Sequence, residues 1–130
     1  MATNSFVAVK TDKGYKAIYV HNDGYFSYMY PMLDTWYNSQ ERAEALVSFG
    51  DASFIAKRLC PSPDSDHCFG NPEEDVCVFY HRDRGEDLVI STYYRKAELF
   101  KRQYYVYIFE DGAWQVYIHR QEAEDYSEFE

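Results

Sequence analysis

The residues of this sequence best suited to chemistry lie in two histidine turns. His21 and His81 each follow a run of strand-forming residues, and an aspartate comes two positions later in both cases, Asp23 and Asp83. A histidine titrates near neutral pH, so beside a carboxylate it can act as a general base, and arginines around Asp83 can neutralise an oxyanion or a phosphate. These four residues define one hypothesis, a small hydrolase acting on nucleic acid or a nucleotide. The alternative is structural, because aspartates also hydrogen-bond turn backbones and arginines pair with nearby acids.

A second set of potentially reactive side chains lies between positions 60 and 77. It comprises Cys60, His67, Cys68 and Cys77. Structural zinc sites usually present two close pairs of ligands, whereas His67 and Cys68 are adjacent and cannot easily both face one metal. Cys77 lies in an apolar run, where a thiol packs as a small hydrophobe. Because the sequence also contains no P-loop, dinucleotide glycine motif, nucleophile elbow or HExxH motif, we predict neither a metal nor a cofactor.

Aromatic residues are dense and offer a different kind of site. They make up 19% of the chain, and Tyr25, Tyr28 and Tyr30 fall within six positions of the first third. Tyrosine is enriched in protein interfaces. Half-exposed tyrosines also simply cover antiparallel sheets, so a binding face and sheet cover stay open as alternatives.

The last ten residues form an acidic segment. Residues 121–130 contain five acids and no basic residue, together with Tyr126 and Phe129. Such a run stays solvated in isolation, but its two aromatics are anchors that a partner could order. The predicted binding residues are therefore Tyr25, Tyr28, Tyr30, Glu122, Glu124, Asp125, Tyr126 and Glu128.

Composition disfavours several classes of function. The chain of 130 residues carries 13 Lys and Arg against 22 Asp and Glu, a formal charge of −9. This balance disfavours direct binding of nucleic acid, which needs a basic face. No apolar run approaches the roughly 18 residues of a membrane span, and the N-terminus lacks the features of a secretory signal. An odd number of cysteines favours reduced thiols, so we expect a soluble, cytoplasmic protein that does not bind membranes.

Strand and turn patterns predict a scaffold for these residues. The β-rich runs 6–10 and 15–20 flank Gly14 and predict a hairpin, and the runs 104–110 and 114–119 around Asp111 and Gly112 predict another. Between the hairpins, Pro31 can open a helix as its first residue, and Asn38 or Ser39 can cap the next. The other predicted elements are a short helix at 51–59, a long loop at 60–75, a central strand at 76–81, a strand at 88–94 and a helix at 96–102.

These elements predict an α+β fold in one domain, residues 1–120, followed by the acidic tail 121–130. About six strands, mostly in hairpin order, form a mainly antiparallel sheet, with two or three short helices packed on one side. In this arrangement each histidine turn lies at the end of a strand.

Longer stretches of the sequence resemble a family of small uncharacterised proteins of bacteriophages and other mobile elements. The resemblance is carried by His-Asn-Asp-Gly-Tyr at 21–25 and Tyr-His-Arg-Asp-Arg-Gly-Glu at 80–86, and it extends to about Trp114. Relatives commonly read His-Trp-Asp-Gly-Tyr-Pro where this chain has Asn22 and Phe26. The resemblance implies a phage or prophage origin and brings no established activity with it.

Small acidic phage proteins are often inhibitors of host defence, among them anti-CRISPR proteins that cover the nucleic-acid-binding surface of an effector. By analogy of class, the sequence favours a non-enzymatic protein that occludes a basic host protein, such as a CRISPR effector, in the cytoplasm of an infected cell. A hydrolase using His21, Asp23, His81 and Asp83 is the alternative, and a phage structural accessory protein is a third. No oligomeric state follows from the sequence.

Overall fold

A seven-stranded sheet organises residues 2–118, which are the residues that the computed structural model describes. Its strands are β1 (Ser5–Thr11), β2 (Gly14–Val20), β3 (Ala52–Phe54), β4 (Val78–Phe79), β5 (Ser91–Tyr93), β6 (Tyr105–Glu110) and β7 (Ala113–Ile118). The helices are α1 (Phe26–Trp36), α2 (Gln40–Val47), α3 (Tyr80–Arg84) and α4 (Lys96–Phe100). The strand order is β4-β3-β2-β1-β6-β7, and β5 also pairs with β2. The predicted α+β class is confirmed. None of the helices in this part of the chain is long and apolar enough to span a membrane.

Both predicted hairpins are present, and most strand pairs are antiparallel. β1 pairs with β2 around Gly14, whose φ of 118° is open to glycine but strained for other residues. β6 pairs with β7 around Asp111 and Gly112, which both have positive φ, as the favoured two-residue hairpin turn requires. The parallel pairs are β1 with β6 and β2 with β3. The first and last hairpins thus lie side by side, joined by β1 and β6, with β7 at the edge of the sheet.

The larger core lies between one face of the sheet and the helices α1 and α2. Alternate strand residues such as Val7, Val9 and Ile18 point to this face. Ser39 caps α2 as predicted, because its Oγ accepts the backbone N–H of Arg42 at 3.1 Å.

Pro31 lies inside α1, whereas the sequence predicts it as the first residue of a helix. A proline at this position has no N–H for the carbonyl of Ser27, one turn earlier. Both residues are exposed, so water can pair with that carbonyl. The helix forms here because Met29 and Leu33 are fully buried against the core.

The opposite face carries a smaller core, covered by α4. The small side chains of Ala8 and Ala17 let Leu99 and Phe100 pack closely on the sheet. The helix predicted at 96–102 is confirmed as α4, but it lies on the other face from α1 and α2. Residues 7–9 are buried one after another, so this part of the sheet needs cover on both sides.

Residues 51–59 do not form the predicted helix. Ala52 pairs with Val20 on one side and with Phe79 on the other, and it begins β3. Ile55 and Ala56 follow in extended chain and are buried. The apolar residues have helical spacing, but the segment forms a strand because pairing with β2 and β4 is more favourable here than a helix.

The predicted central strand at 76–81 is also wrong. Only Val78–Phe79 pairs as β4, at one end of the strand order, and Tyr80 begins α3. Residues 76–79 are nevertheless buried, which is why the run reads as a central strand. The strand predicted at 88–94 is shorter, Ser91–Tyr93, and Leu88 and Val89 are exposed.

Candidate functional site

The loop that connects β3 to β4 concentrates negative charge. Residues 60–75 contain no helix or strand, as predicted, and hold five acids with no lysine or arginine. The segment 121–130 holds another five acids, so the rest of the chain balances 13 cations against 12 acids. The charge of −9 is therefore confined to two segments. We call residues 60–75 the acidic loop.

Glu73 closes the acidic loop on itself. Its carboxylate accepts the backbone N–H of Ser62 at 2.9 Å and the hydroxyl of Ser62 at 2.7 Å, and it forms an ion pair with Arg58. Hydrogen bonds from Ser65 and Ser62 lower the pKa of Glu73 to about 2. The carboxylate that closes the loop therefore stays ionised far below neutral pH.

His67 fastens the acidic loop to the body of the protein. Its Nδ1 accepts the backbone N–H of Glu73 at 2.9 Å, which places the proton of a neutral ring on Nε2. Nε2 lies 3.2 Å from Oδ2 of Asp83, and the two side chains are only 2% and 4% exposed. The N–H of Nε2 points off the line to Oδ2, so the contact is electrostatic rather than a well-formed hydrogen bond.

Asp83 is the centre of a buried ion-pair network. Its carboxylate accepts two hydrogen bonds from the guanidinium of Arg82, at 2.8 and 3.1 Å, and one from the N–H of Phe79 at 2.8 Å. Arg82 also donates to the carbonyls of Leu59 and Cys77, at 2.7 and 2.9 Å. Burial would raise the pKa of Asp83, but the hydrogen bonds it accepts outweigh burial and lower that pKa. The network thus joins β4 and α3 to the start of the acidic loop.

Phe69 provides an aromatic anchor for the same loop. Its backbone N–H donates to the carbonyl of Asp83 at 3.0 Å. Its ring lies 5.5 Å from the ring of Tyr80, and the guanidinium of Arg84 sits 4.2 Å above its centre. The acidic loop is therefore ordered by side chains rather than by secondary structure.

The outer carboxylates of the acidic loop face solvent. Asp64, Asp66 and Glu74 are exposed and have no cationic partner among residues 2–118. Asp75 lies 3.5 Å from Lys57 in an exposed pair. The arrangement presents unneutralised carboxylates on an anchored framework.

The second histidine turn is a short helix, and its aspartate is already engaged. His81 is exposed in α3, and its Nδ1 lies 2.6 Å from the carbonyl oxygen of Glu86. The carboxylate of Asp83 pairs with Arg82 and His67, not with His81. Asp83 therefore orients buried structural groups instead of a histidine base.

The first histidine turn is built around a tyrosine. The hydroxyl of Tyr19 lies 2.8 Å from Nδ1 of His21, and the side-chain amide of Asn4 lies 3.4 Å from the same nitrogen. Burial is the main reason that the pKa of Tyr19 is raised, which disfavours a nucleophilic phenolate. Asp23 is exposed in the turn, and no hydrogen bond or ion pair joins it to His21 in the described part of the chain.

The three predicted binding tyrosines have different environments. Tyr25, just before α1, is 39% exposed. Tyr28 is half-buried and donates its hydroxyl proton to the carbonyl of Ile55 at 2.7 Å. The ring of Tyr30 stacks on the exposed ring of Phe26, 5.3 Å away. Tyr25 and Phe26 therefore offer aromatic contact area, while Tyr28 ties α1 to the chain after β3.

The other predicted site residues lie outside the described residues or do not cluster. The tail residues Glu122, Glu124, Asp125, Tyr126 and Glu128 belong to the former group. Within residues 2–118, no group of three or more His, Cys, Asp or Glu side chains is placed to hold a metal ion. Cys60 and Cys68 are exposed thiols, and Cys77 is buried, with its sulfur 3.2 Å from the N–H of Ala56.

Sequence reasoning missed the anchoring roles of His67, Glu73 and Asp83. It considers His67 as a metal ligand and Asp83 as a catalytic acid, and it does not single out Glu73. An Arg-Asp pair directly after an apolar run could have indicated a buried ion pair, because charged residues are buried mainly when paired. The contact between Asp83 and His67 has no such local signal, since the two residues are far apart in sequence.

No protein-family model matches the chain, and no curated protein or solved structure matches it. The functional argument therefore depends on the geometry of the site: an acidic loop held by Glu73, His67 and Asp83, with its remaining carboxylates turned outward.

Proposed function

We propose that this protein is a non-enzymatic inhibitor that occludes a basic, nucleic-acid-binding surface of a protein effector, in the manner of anti-CRISPR proteins. The observation that carries the proposal is the anchored acidic loop, which presents Asp64, Asp66 and Glu74 to solvent. Surfaces that bind phosphate groups through lysine and arginine also accept carboxylates through charge-assisted hydrogen bonds. The exposed carboxylates of an anchored loop can thus compete with a nucleic-acid backbone for the same cations.

The anchoring of the loop supports this proposal energetically. Binding through a segment that must first become ordered loses part of its free energy to that ordering. Here Glu73 and His67 hold the loop before any partner arrives. The acidic segment 121–130 adds five charges that steer a basic partner towards the protein.

The positions of the histidine turns support binding rather than hydrolysis. The sequence hypothesis pairs His81 with Asp83, but the Asp83 carboxylate pairs with Arg82 and His67, and the partner of the His81 ring is the carbonyl of Glu86. The raised pKa of Tyr19 keeps its hydroxyl protonated beside His21. The hydrolase alternative therefore gains nothing from the geometry.

The test is a competition assay with purified CRISPR effector complexes of several types. Target-DNA binding by each effector is measured while the protein is titrated. We expect at least one effector to lose target binding, and we expect inhibition to weaken as salt rises, because charge contacts at the rim of an interface are screened. An effector that binds this protein and still binds its DNA normally would contradict occlusion.

Charge variants connect the inhibition to the acidic loop. The triple variant Asp64→Asn, Asp66→Asn, Glu74→Gln should weaken inhibition by tenfold or more. Its matched control is Asp12→Asn, Glu41→Gln, Asp87→Asn, which removes the same charge from exposed positions elsewhere. Equal losses in the two variants would show that net charge, and not the loop, drives inhibition.

A further inference from the structure

The end of the molecule formed by β5 and α4 has the opposite charge to the acidic loop. Residues 93–104 contain four cations, Arg95, Lys96, Lys101 and Arg102, against the single acid Glu98. The β1–β2 turn, with Lys13 at its tip, lies beside this segment. Tyr15 pairs with Tyr93, and a Cβ on Gly14 would lie 2.8 Å from the carbonyl oxygen of Tyr93. We call this surface the basic end.

A shared carboxylate leaves positive charge in excess at the basic end. Oε1 of Glu110 lies 2.7 Å from Nζ of Lys96, and Oε2 lies 3.4 Å from Nζ of Lys10 and accepts the hydroxyl of Tyr15 at 3.0 Å. One carboxylate therefore faces two ammonium groups. Burial would lower the pKa of Lys96, but its hydrogen bonds to Glu110 and Tyr117 raise that pKa instead, so the ammonium stays charged.

The basic end also presents an exposed aromatic ring above an open hollow. Tyr94 is 75% exposed, the largest value for any large apolar or aromatic side chain in residues 2–118. A hollow of about 210 Å³ is lined by Tyr15, Tyr94, Arg95 and Lys96. Beside it, the guanidinium of Arg102 lies 5.6 Å from the centre of the Tyr93 ring. Aromatic faces and cationic groups are thus interleaved on one surface.

We propose that the basic end binds single-stranded nucleic acid, with one base stacked on Tyr94. Base stacking on aromatic rings, combined with cations that follow the backbone, is how proteins bind single strands without reading sequence. Lys13, Lys101 and Arg102 are exposed and would contact the phosphates. A duplex fits less well, because its bases already stack on one another. An acidic peptide supplies charge but no base to cover the Tyr94 ring.

The negative charge of the acidic loop does not cancel this surface. On β2, the residue that pairs with β5 (Tyr15) and the residue that pairs with β3 (Val20) are five positions apart, about 17 Å along an extended strand. The acidic loop begins beyond β3, farther still from the basic end. Charges are largely screened over about 8 Å at physiological salt, so the two ends act independently. This inference goes beyond the proposed inhibition and does not depend on it.

The test uses the full chain and labelled single strands of about 12 nucleotides, a length within the range of known single-strand sites. Fluorescence anisotropy is measured with oligothymidylate, with oligouridylate and with a duplex of equal length. We expect both single strands to bind more tightly than the duplex. With about three phosphate contacts, affinity for the single strand should fall about 20-fold between about 50 and 200 mM salt. Absence of binding to both single strands at the lower salt concentration would overturn the proposal.

Two pairs of variants connect binding to this surface. Tyr94→Ser should weaken single-strand binding by tenfold or more, whereas Trp36→Ser, which removes an exposed aromatic ring from α1, should not. Lys101→Gln should reduce the slope of log affinity against log salt concentration by the amount expected for about one phosphate contact. Lys57→Gln, beside the acidic loop, should leave that slope unchanged. Full binding by Tyr94→Ser, or equal binding of the duplex or of polyglutamate, would overturn base stacking at the basic end.

Discussion

The acidic loop and the basic end differ in how a carboxylate that is mostly removed from solvent is neutralised. Beside each lies such a carboxylate, paired with cations: Asp83, which contacts the acidic loop, and Glu110 at the basic end. Asp83 is matched by one adjacent arginine, which also satisfies two backbone carbonyls. Glu110 is shared by Lys10 and Lys96, one on β1 and one on α4.

The comparison shows that a buried ion pair does not by itself determine whether the nearby surface is positively or negatively charged. The network around Asp83 is compensated internally, so the outer acids decide the charge of the loop that it anchors. The cluster around Glu110 has one cation more than it can neutralise, which adds to the exposed arginines and lysines nearby. The first arrangement positions a loop, while the second contributes charge to the surface itself.

Asp83→Asn should have the largest effect on stability, because the asparagine leaves the partly buried Arg82 without a counter-ion. We expect the free energy of unfolding to fall by about 3 kcal/mol. In a domain of this size that corresponds to a loss of roughly 10 °C in Tm. Thermal and urea unfolding measure the change. Glu86→Gln, which breaks only an exposed pair with Arg84, is the control and should leave Tm almost unchanged. A loss near zero for Asp83→Asn would remove the proposed anchor.

The pH dependence of the same variant sharpens the comparison. The pKa of Asp83 is lowered in the folded protein, so its contribution to stability is present above the unfolded pKa of about 4 and is lost as pH falls through the folded pKa. The wild-type protein should therefore lose stability more steeply than Asp83→Asn as the pH falls below about 4. Parallel profiles would mean that Asp83 is not the group that titrates.

Glu110→Gln should have an intermediate effect. Arg82 is held in place by two backbone carbonyls, whereas Lys96 is not and can move towards water when its carboxylate partner is removed. We expect a loss of about 2 kcal/mol. Burial and Glu110 together raise the pKa of Tyr15 to about 12, with burial the larger cause. In the variant this pKa should fall without reaching its ordinary value, as followed by NMR of labelled tyrosine. Lys10→Gln, which removes the more distant cation, should cost less; a larger loss would reverse the assigned importance of the two lysines.

Lys57→Gln should have the smallest effect. Lys57 and Asp75 form an exposed pair, and such pairs contribute less than about 0.5 kcal/mol. Urea unfolding should give the wild-type midpoint within error. A clear loss of stability would mean that this pair also anchors the acidic loop, and the contrast between buried and exposed pairs at that end would fail.

Features that depend on a few neighbouring residues are predictable from the sequence of this protein. Alternating apolar residues around Gly14 and around Asp111-Gly112 specify the two hairpins, because turn conformation and strand pattern are local. Ser39 specifies the start of α2 for the same reason. The concentration of acids in two segments is also a property of the sequence alone.

Contacts between groups that are distant in sequence depend on the folded arrangement of the strands and loops. The helical pattern at 51–59 yielded to pairing of Ala52 with Val20, and the apolar run at 76–81 became a short strand followed by a helix. Likewise, Asp83 meets His67, and Glu110 meets Lys96, only because strand order and the loop path bring them together. The physical reason is that the free energy of burying a charge depends on its final neighbours, which no local pattern specifies.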